Sequence, residues 1–164
     1  MVRPSPQKTP PQHADDLSEH PGHLLRRAQQ ISVSIFYDEL GIDVTPIQYA
    51  VLRTLADHPG IDQVSLAGLV AIDTSTGATV CVRLEEKGWL VRKIAAHDRR
   101  QRALTLTAAG EALLLDLIPA FQRIRKRLLA PLSGDEQLQF MHLLDKLVRL
   151  NNDQSRAPLA SRSE

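Results

Sequence analysis

Small hydroxyl-bearing residues are concentrated at the start of one predicted helix, in residues 73–79 (DTSTGAT). Threonine, serine and glycine are poor helix formers, so their concentration in one helix needs a reason other than helix stability. A helix that enters the major groove of DNA needs small or polar residues there, because bulky ones would hold its backbone away from the base edges. A capped surface helix is the alternative. The residues that we predict at a DNA surface are Thr74, Ser75, Thr76, Ala78 and Thr79, with Thr76 turned inward beside Val80.

A second candidate lies between two short stretches of alternating residues, 89–94 and 102–107, which predict a β-hairpin. The polar turn between them carries the sequence HDRR. An arginine at a hairpin tip can enter a narrow minor groove, where the potential of DNA is most negative. We therefore predict that Arg100 inserts there, that Asp98 orients its guanidinium, and that Arg99 contacts a phosphate. An ordinary charged hairpin is the alternative interpretation.

Net charge alone does not indicate a nucleic-acid partner, because the whole chain carries only +1. The distribution of charge does, since residues 83–102 hold seven basic side chains against three acidic ones. Such a local excess is expected of a surface that meets the DNA backbone, although it would also fit a solvated face. Arg83 in the fourth predicted helix and Ser65 at the start of the third complete the predicted DNA contacts.

The elements that must position these residues follow from apolar periodicity and capping residues. Residues 23–40 form a first helix with two neighbouring apolar stripes, which suggests burial over a wide arc, as at a dimer interface. Gly41 is expected to end this helix. Thr45 caps a second helix, which has Pro46 at its first position and runs to about Asp57.

A pair of short helices comes next. Ser65 is expected to cap a third helix over about 66–71. Asp73 or Thr74 then opens a fourth helix, and Gly88 closes it. Two short helices followed directly by a basic hairpin are the layout of a winged helix.

Two long helices follow the hairpin. Thr107 is expected to cap a fifth helix that Pro119 should kink, and Ser133 begins a capping box for a sixth with a wide apolar face. The element order is therefore α-α-α-α-β-β-α-α. The predicted fold class is mainly α with a small β-hairpin wing (α+β), a winged helix-turn-helix with long N- and C-terminal dimerisation helices.

The domain organisation that this order implies is a single folded unit between two tails. Residues 1–20 and 151–164 are polar and predicted to be flexible. Residues 21–150 form the domain. Its DNA-binding lobe is expected at 44–107, and its dimerisation helices at 21–41 and 108–150.

Several other classes of function are not favoured. The sequence has no phosphate-binding glycine loop, no Gly-x-Ser-x-Gly and no His-Glu-x-x-His, so we do not expect an enzyme. The six histidines lack metal-ligand spacing, and we expect no metal or cofactor. The single cysteine, Cys81, is expected to be a buried structural thiol. With no long apolar run and no signal-peptide core, we expect a cytoplasmic protein and no membrane partner.

The combination of motifs resembles the multiple antibiotic resistance regulator (MarR) family. The matching elements are Val44-Thr45-Pro46, Arg83-Leu84-Glu85 followed by Lys87-Gly88, the Asp98-x-Arg100 turn, and Leu104-Thr105-Leu106-Thr107-x-x-Gly110. The resemblance runs from about 23 to 150, with Trp89 standing where an aliphatic residue is usual. It implies a homodimer that binds a pseudo-palindromic operator in double-stranded DNA, most often as a repressor. It also implies a ligand cavity between the dimerisation and winged-helix lobes.

Parts of the chain resemble the family branch that controls aromatic-acid catabolism, whose members respond to aryl carboxylates, phenolic compounds or their coenzyme A thioesters. That resemblance implies effector contacts from Arg26, Arg27 and Gln30 on the first helix and Tyr49 on the second. Guanidinium groups suit a carboxylate, and a tyrosine ring suits an aryl group. Three alternatives stay open: Arg26 and Arg27 are merely exposed charges, the regulator has no ligand, or it senses oxidants.

Overall fold

A computed structural model of the chain describes residues 17–41, 44–94 and 102–160. It has the predicted fold class, mainly helical with a small antiparallel sheet. The described elements are α1 (Pro21–Leu40), α2 (Pro46–Asp57), β1 (Ile61–Asp62), α3 (Gln63–Val70), α4 (Thr74–Glu86), β2 (Leu90–Ile94), β3 (Arg102–Leu106), α5 (Ala108–Leu129), α6 (Gly134–Leu150) and a short 3-10 turn, η1 (Asn152–Gln154).

The ends of α1 and α2 follow from local chemistry, as predicted. Gly41 has a φ of 60°, in the left-handed region that favours glycine, and it ends α1. The Thr45 hydroxyl oxygen accepts from the Gln48 backbone N–H at 3.2 Å, and the Gln48 side-chain oxygen accepts from the Thr45 N–H at 3.1 Å. This capping box satisfies backbone donors at the start of α2 and gives the buried Gln48 side chain a partner.

The cap of α3 differs from the prediction. Asp62, and not Ser65, is its N-cap, because one Asp62 oxygen accepts from the N–H groups of Val64 and Ser65 at 2.9 and 3.0 Å. A carboxylate suits this place better than a hydroxyl, since it carries the negative charge that a helix N-terminus favours. Ser65 lies in the first turn instead, and its hydroxyl donates to Asp62 at 2.6 Å. That hydrogen bond is the main reason why the pKa of Asp62 is lowered.

Helices α3 and α4 form the expected helix-turn-helix. Ala71 ends α3 with a φ of 56°, and Asp73 caps α4, one of the two residues predicted to open it. The two helices are bent by 106° at the break between them, within the range of about 90–120° that is usual for this motif. A Cβ at the buried Gly77 would lie 3.2 Å from the Ala67 Cβ, so the missing side chain lets the helices pack closely.

The sheet has three antiparallel strands in the order β1-β3-β2. The predicted hairpin strands are confirmed, since β2 and β3 pair along their length, from Leu90 opposite Leu106 to Ile94 opposite Arg102. The sequence did not indicate β1, because two residues are too few to show an alternating pattern. Ile61 and Asp62 pair with Leu104 and Ala103, and this pairing fixes the start of α3 against the hairpin.

The end of α4, the hairpin and the start of α5 meet in one junction. Thr107 caps α5 by accepting from the Gly110 N–H at 3.1 Å, and its hydroxyl donates to the Gly88 carbonyl oxygen at 2.6 Å. Gly110 packs so closely on the backbone of Trp89 that a Cβ would overlap the Trp89 carbonyl oxygen. Pro119 lies inside α5 without ending the helix.

Two apolar cores sit on either side of Trp89, which packs against both. One lies between the helix-turn-helix and the sheet, and the other joins α1 to α5. The buried residues of the first are Val51, Leu52, Leu55, Leu66, Val80, Cys81, Leu84, Leu90 and Leu104. Those of the second are Ile35, Phe36, Leu40, Val44, Leu117, Ala120 and Ile124.

The chain after α6 is folded where a flexible tail is predicted, as far as residue 160. Ser133 and Glu136 form the predicted capping box of α6. Beyond the helix, η1 and the residues that follow it return to α3, where the Ala160 N–H donates to the Gly68 carbonyl oxygen at 2.9 Å. The expectation of a flexible tail is therefore corrected for 151–160. Hydrogen bonds hold this polar segment, and amino-acid composition alone does not predict them.

Candidate nucleic-acid interface and effector cavity

The first two turns of α4 carry the five residues predicted at the DNA surface, of which Thr76 was expected to turn inward. Thr74, Ser75 and Thr79 are exposed, whereas Thr76 and Ala78 are half-buried. The buried residues of the helix are Gly77, Val80, Cys81 and Leu84. The N-terminal half of α4 therefore presents a surface of small polar side chains and packs on the core with its opposite face.

Asp73 organises the start of this surface. Its carboxylate accepts hydrogen bonds from the Ser75 hydroxyl, from the Thr76 hydroxyl at 2.6 Å, and from the Thr76 N–H at 2.9 Å. These bonds, led by the one from Ser75, hold the pKa of Asp73 well below its usual range. The negative charge at the N-terminus of α4 is therefore kept throughout the neutral pH range.

The same hydrogen bonds decide what the hydroxyl groups can offer to a base. Ser75 and Thr76 donate their protons to Asp73, and Thr79 donates to the Ser75 carbonyl oxygen at 3.1 Å. A hydroxyl oxygen that has donated its proton still has lone pairs to accept with. In this arrangement the exposed Ser75 and Thr79 are acceptors, which match the amino groups of adenine and cytosine in the major groove.

The basic cluster of residues 83–102 divides into exposed and engaged side chains. Arg83 on α4 and Lys93 on β2 are exposed. The half-buried Arg92 lies 2.9 Å from the exposed Glu85 as an ion pair, and the Lys87 ammonium group lies 4.8 Å from the centre of the Trp89 ring. Charge counting therefore overstates how much of this cluster is available to a phosphate backbone.

Three predicted wing residues, Asp98, Arg99 and Arg100, lie outside the described residues. The structure describes the two strands that lead to them, Leu90–Ile94 and Arg102–Leu106. Their roles at the minor groove stay predictions.

An open cavity of about 720 Å³ lies between α2, the hairpin and the first half of α5. Its polar lining comes from Tyr49, Arg53, Lys93, Thr105 and Glu111, and most of the remaining lining is apolar. The Tyr49 ring stacks on Phe121 with 3.5 Å between centroids and 18° between planes. Burial raises the pKa of Tyr49, so the phenol stays neutral. The Thr105 hydroxyl oxygen is buried without a hydrogen-bond partner in the described part of the chain.

The structure separates the predicted effector contacts into two groups. Arg26 and Gln30 lie together on α1, where a guanidinium N–H of Arg26 donates to the Gln30 side-chain oxygen at 2.9 Å. These two residues and Arg27 are exposed, and they do not line the cavity that holds Tyr49. Within one chain the four predicted contacts therefore do not form a single site.

Sequence reasoning missed two basic residues of the cavity. Arg53 follows Tyr49 by one helical turn on α2, and that spacing alone could have placed it on the same face. Lys93 needed the fold, because only the tertiary structure shows that it lines the same cavity as residues of α2 and α5. Both side chains are exposed, and Arg53 also pairs with Asp57 at 2.9 Å.

Cys81 is fully buried, as predicted for a structural thiol. Desolvation by this burial raises the pKa of the thiol, with a smaller opposing effect of Arg92. A raised pKa disfavours the thiolate that reacts with oxidants. Among the described residues there is no group of three or more His, Cys, Asp or Glu side chains placed to hold a metal ion.

Comparison with known proteins gives one consistent result. Residues 44–101 match the model of the MarR family. The transcriptional regulator HosA of Escherichia coli is 38% identical over 126 residues, which are 77% of this chain and 93% of HosA.

The chain belongs to the MarR family.

Two solved MarR-type structures extend the likeness to three dimensions. BpsR of Bordetella bronchiseptica, whose DNA binding is regulated by 6-hydroxynicotinic acid, is 33% identical with a TM-score of 0.77, covering 81% of this chain and 96% of BpsR. The repressor CouR, solved on a 23-mer DNA duplex, is 30% identical with a TM-score of 0.77, covering 81% of this chain and 95% of CouR. The helix-turn-helix and hairpin described above are therefore a MarR-type winged helix.

MarR regulators bind operator DNA, typically as dimers. One chain of this protein leaves a large apolar surface uncovered on the elements of the expected dimer interface. No α6 side chain is buried, and Leu24, Leu25 and Ile31 on α1 are each about half exposed. Exposed apolar side chains on α6 are Leu138, Phe140, Met141, Leu143, Leu147, Val148 and Leu150.

None of the described helices is by itself long and apolar enough to cross a membrane, and only α3 and α4 together, as a bent pair, reach that length and composition.

Proposed function

We propose that this chain is a dimeric transcriptional repressor that binds a pseudo-palindromic operator and is released by a small aromatic carboxylate, a phenolic compound or an aryl-coenzyme A thioester. The observation that carries the proposal is the exposed polar start of α4 within a MarR-type winged helix. Relatives that act as regulators rather than enzymes support the same reading. The cavity beside Tyr49 supports an effector.

On DNA, α4 enters the major groove with its N-terminal end first. Thr74, Ser75 and Thr79 face the base edges, and Arg83 and Ser65 contact the phosphate backbone. Thr76 and Ala78 pack at the edge of this surface, where methyl groups can touch thymine. In the adjacent minor groove, Arg100 reads the width of the groove, Asp98 orients it, and Arg99 contacts a phosphate.

Operator contacts are tested with duplexes selected from a random library by the full-length protein. Thr79→Val keeps the shape of the side chain and removes an acceptor, so we expect binding to weaken by about 5- to 150-fold and base preference to relax at one position. Arg83→Ala should weaken binding to all sequences and lower the salt slope by about one. Arg149→Ala, an exposed α6 arginine paired with Asp145, is the matched control and should change neither.

Dimerisation follows from the uncovered apolar faces of α1 and α6. A monomer would expose them to water at a cost of roughly 25 cal/mol for each Å² of apolar surface. A second copy has the same faces to offer, and twofold symmetry would place the two α4 helices on successive turns of one DNA face. Sedimentation of the full-length chain as a monomer at micromolar concentration would overturn this part of the proposal.

The effector is expected to bind as an anion with an aromatic ring. Two sets of cations can hold its carboxylate: Arg53 and Lys93 in the cavity, or Arg26 and Arg27 with Gln30 on α1. Tyr49 contacts the aromatic ring of the effector in either case, because α1 of a partner subunit can approach the cavity when the dimer forms. The buried Thr105 hydroxyl offers a hydrogen bond to a polar substituent on the ring.

Paired probes separate these possibilities. 6-Hydroxynicotinic acid and hydroxybenzoates are compared with their neutral amides by thermal shift and by release of operator DNA. A ligand at 100 times its dissociation constant should stabilise the protein by about 2.7 kcal/mol, and the amides should not. Loss of the response in Lys93→Ala places the carboxylate in the cavity, and loss in Arg26→Ala places it on α1. No response to any aryl acid or thioester leaves a regulator without an aromatic effector.

A further inference from the structure

The segment after α6 closes on itself through one side chain. The Asn152 amide nitrogen donates to the Leu159 carbonyl oxygen at 3.0 Å, and its amide oxygen accepts from the Leu159 N–H at 2.8 Å. A single amide thus satisfies both backbone groups of a residue seven positions later. A backbone N–H of Ala157 also donates to the Ser155 hydroxyl at 3.2 Å. We call residues 152–160 the C-terminal strap.

The far end of the strap holds the helix-turn-helix. The Ala160 N–H donates to the Gly68 carbonyl oxygen at 2.9 Å, and the same carbonyl accepts from the Ala71 N–H at 3.2 Å. Ala71 is the left-handed residue that ends α3 and begins the turn to α4. A Cβ on Gly68 would lie 3.1 Å from the Ala160 Cβ, so the glycine makes room for the strap. The strap therefore contacts the end of α3, next to the turn that sets the direction of α4.

The strap does not cover the surface that we assign to DNA. Its contact lies at the C-terminal end of α3, and Thr74, Ser75 and Thr79 at the start of α4 remain exposed beside it. Its other end continues directly from α6, whose apolar face is part of the expected dimer interface. A connection between α6 and the end of α3 can position α4, and it leaves the exposed start of α4 open to DNA.

We infer that Asn152 and Gly68 are positioning residues for operator recognition, because the strap they hold ties the α3–α4 turn to α6 and so fixes the separation of the two α4 helices in the dimer. Two half-sites are read together only when that separation matches about one turn of DNA, roughly 34 Å. A lobe that moves freely relative to α6 accepts a wider range of spacings and pays more ordering entropy when it binds. The inference rests on the dimeric, DNA-binding function proposed above.

Binding to spaced operators is the first test. An operator selected by the full-length protein is remade with one or two base pairs added to or removed from its centre. Asn152→Ala should bind the best duplex about 3- to 10-fold more weakly, and its preference over the one-base-pair variants should fall at least threefold. Asn151→Ala is the matched control, since that amide donates to the Leu147 carbonyl oxygen at 2.8 Å within α6 and makes no strap contact.

Truncation of the chain and a substitution on α3 test the strap further. A chain ending at Asn151 lacks the strap, whereas a chain ending at Ala160 keeps it, and only the first should behave like Asn152→Ala. Gly68→Leu places a side chain where Ala160 packs, while leucine favours a helix more than glycine does. It should therefore loosen spacing preference without weakening α3. Identical spacing profiles in the full chain and in the chain ending at Asn151 would overturn the inference.

A measurement without DNA separates this inference from the proposed function. The native thiol of Cys81 is buried, so a cysteine introduced at the exposed Glu86 can be spin-labelled selectively. The distance between the two labels of a dimer should have one narrow distribution in the full chain and a broader one in Asn152→Ala. Equal widths reject the positioning role even if operators bind. If no duplex is ever selected, the proposed function fails, and the label distances still decide what the strap does.

Discussion

The helix-turn-helix lobe and the surface of α1 and α6 differ in how far their apolar side chains are buried. The lobe buries a core of leucines and valines, with Leu52, Leu84 and Leu104 at 0% exposure. Helix α6 also carries many apolar side chains, yet none is buried within the chain. One region is therefore stable by its own contacts, and the other is complete only when something apolar covers it.

The polar side chains of the two regions also have different roles. In the lobe, Asp62 and Asp73 cap α3 and α4 and also accept hydrogen bonds from hydroxyl groups in the first turn of each helix. At the α1–α5 contact, Arg123 and Arg127 instead bridge to Glu39, with nitrogen–oxygen distances of 2.9 and 3.4 Å. The lobe uses its polar groups to fix the starts of α3 and α4, and the other region uses them to fix the mutual packing of long helices.

The largest expected effect comes from placing charge on the uncovered face. Leu143→Glu combined with Leu147→Glu should convert the protein to a monomer and weaken operator binding at least 100-fold, because each half-site is then bound alone. Analytical ultracentrifugation and fluorescence anisotropy measure the two losses. Gln139→Glu adds a charge to an exposed polar position of α6 and should leave the dimer intact. A dimer that survives the double substitution would place the interface elsewhere.

The next effect tests the lobe as an independent core. Leu52→Ala removes a fully buried side chain and should lower the free energy of unfolding by about 2–5 kcal/mol, measured by chemical denaturation. Val64→Ala, on the exposed side of α3, should change it by less than about 0.5 kcal/mol. Similar losses for the two variants would mean that the lobe is not the self-sufficient region described above.

A smaller effect is expected at the junction that joins the two regions. Gly110→Ala puts a Cβ against the Trp89 carbonyl oxygen and should cost about 1–3 kcal/mol as the start of α5 shifts. Gly134→Ala is the matched control at the start of α6, where a Cβ would meet nothing within 4 Å. Thermal unfolding compares them. Equal stability of both variants would contradict the close packing at Gly110.

The smallest effect concerns pH. Because the pKa of Asp73 is lowered in the folded chain, its contribution is complete above the usual aspartate value, near 3.9, and is lost as pH falls through the lowered value. Asp73→Asn keeps a capping side chain but cannot titrate. The variant should therefore lose less stability than the natural chain between pH 5 and acid conditions, as urea denaturation at several pH values can show.

Sequence reasoning predicted the features that depend on neighbouring residues. Thr45, Asp73, Thr107 and Ser133 cap the helices that they were expected to cap or open, and Gly41 ends α1. It was wrong at Ser65, where a carboxylate three residues earlier competes for the same N–H groups. It also missed β1, whose two residues form a strand only because β3 lies beside them.

The sequence by itself predicted the six long or short helices and the two hairpin strands, because caps and periodicity act within a few residues. The DNA contacts of the small polar side chains on α4 stay predictions. Only the tertiary structure decided which residues that are distant in sequence lie close together. It separated Arg26 from Tyr49, joined Tyr49 to Lys93 around one cavity, and brought Ala160 back to Gly68. Contacts of this kind depend on how whole helices pack, and the local pattern of residues carries no information about which of them will meet.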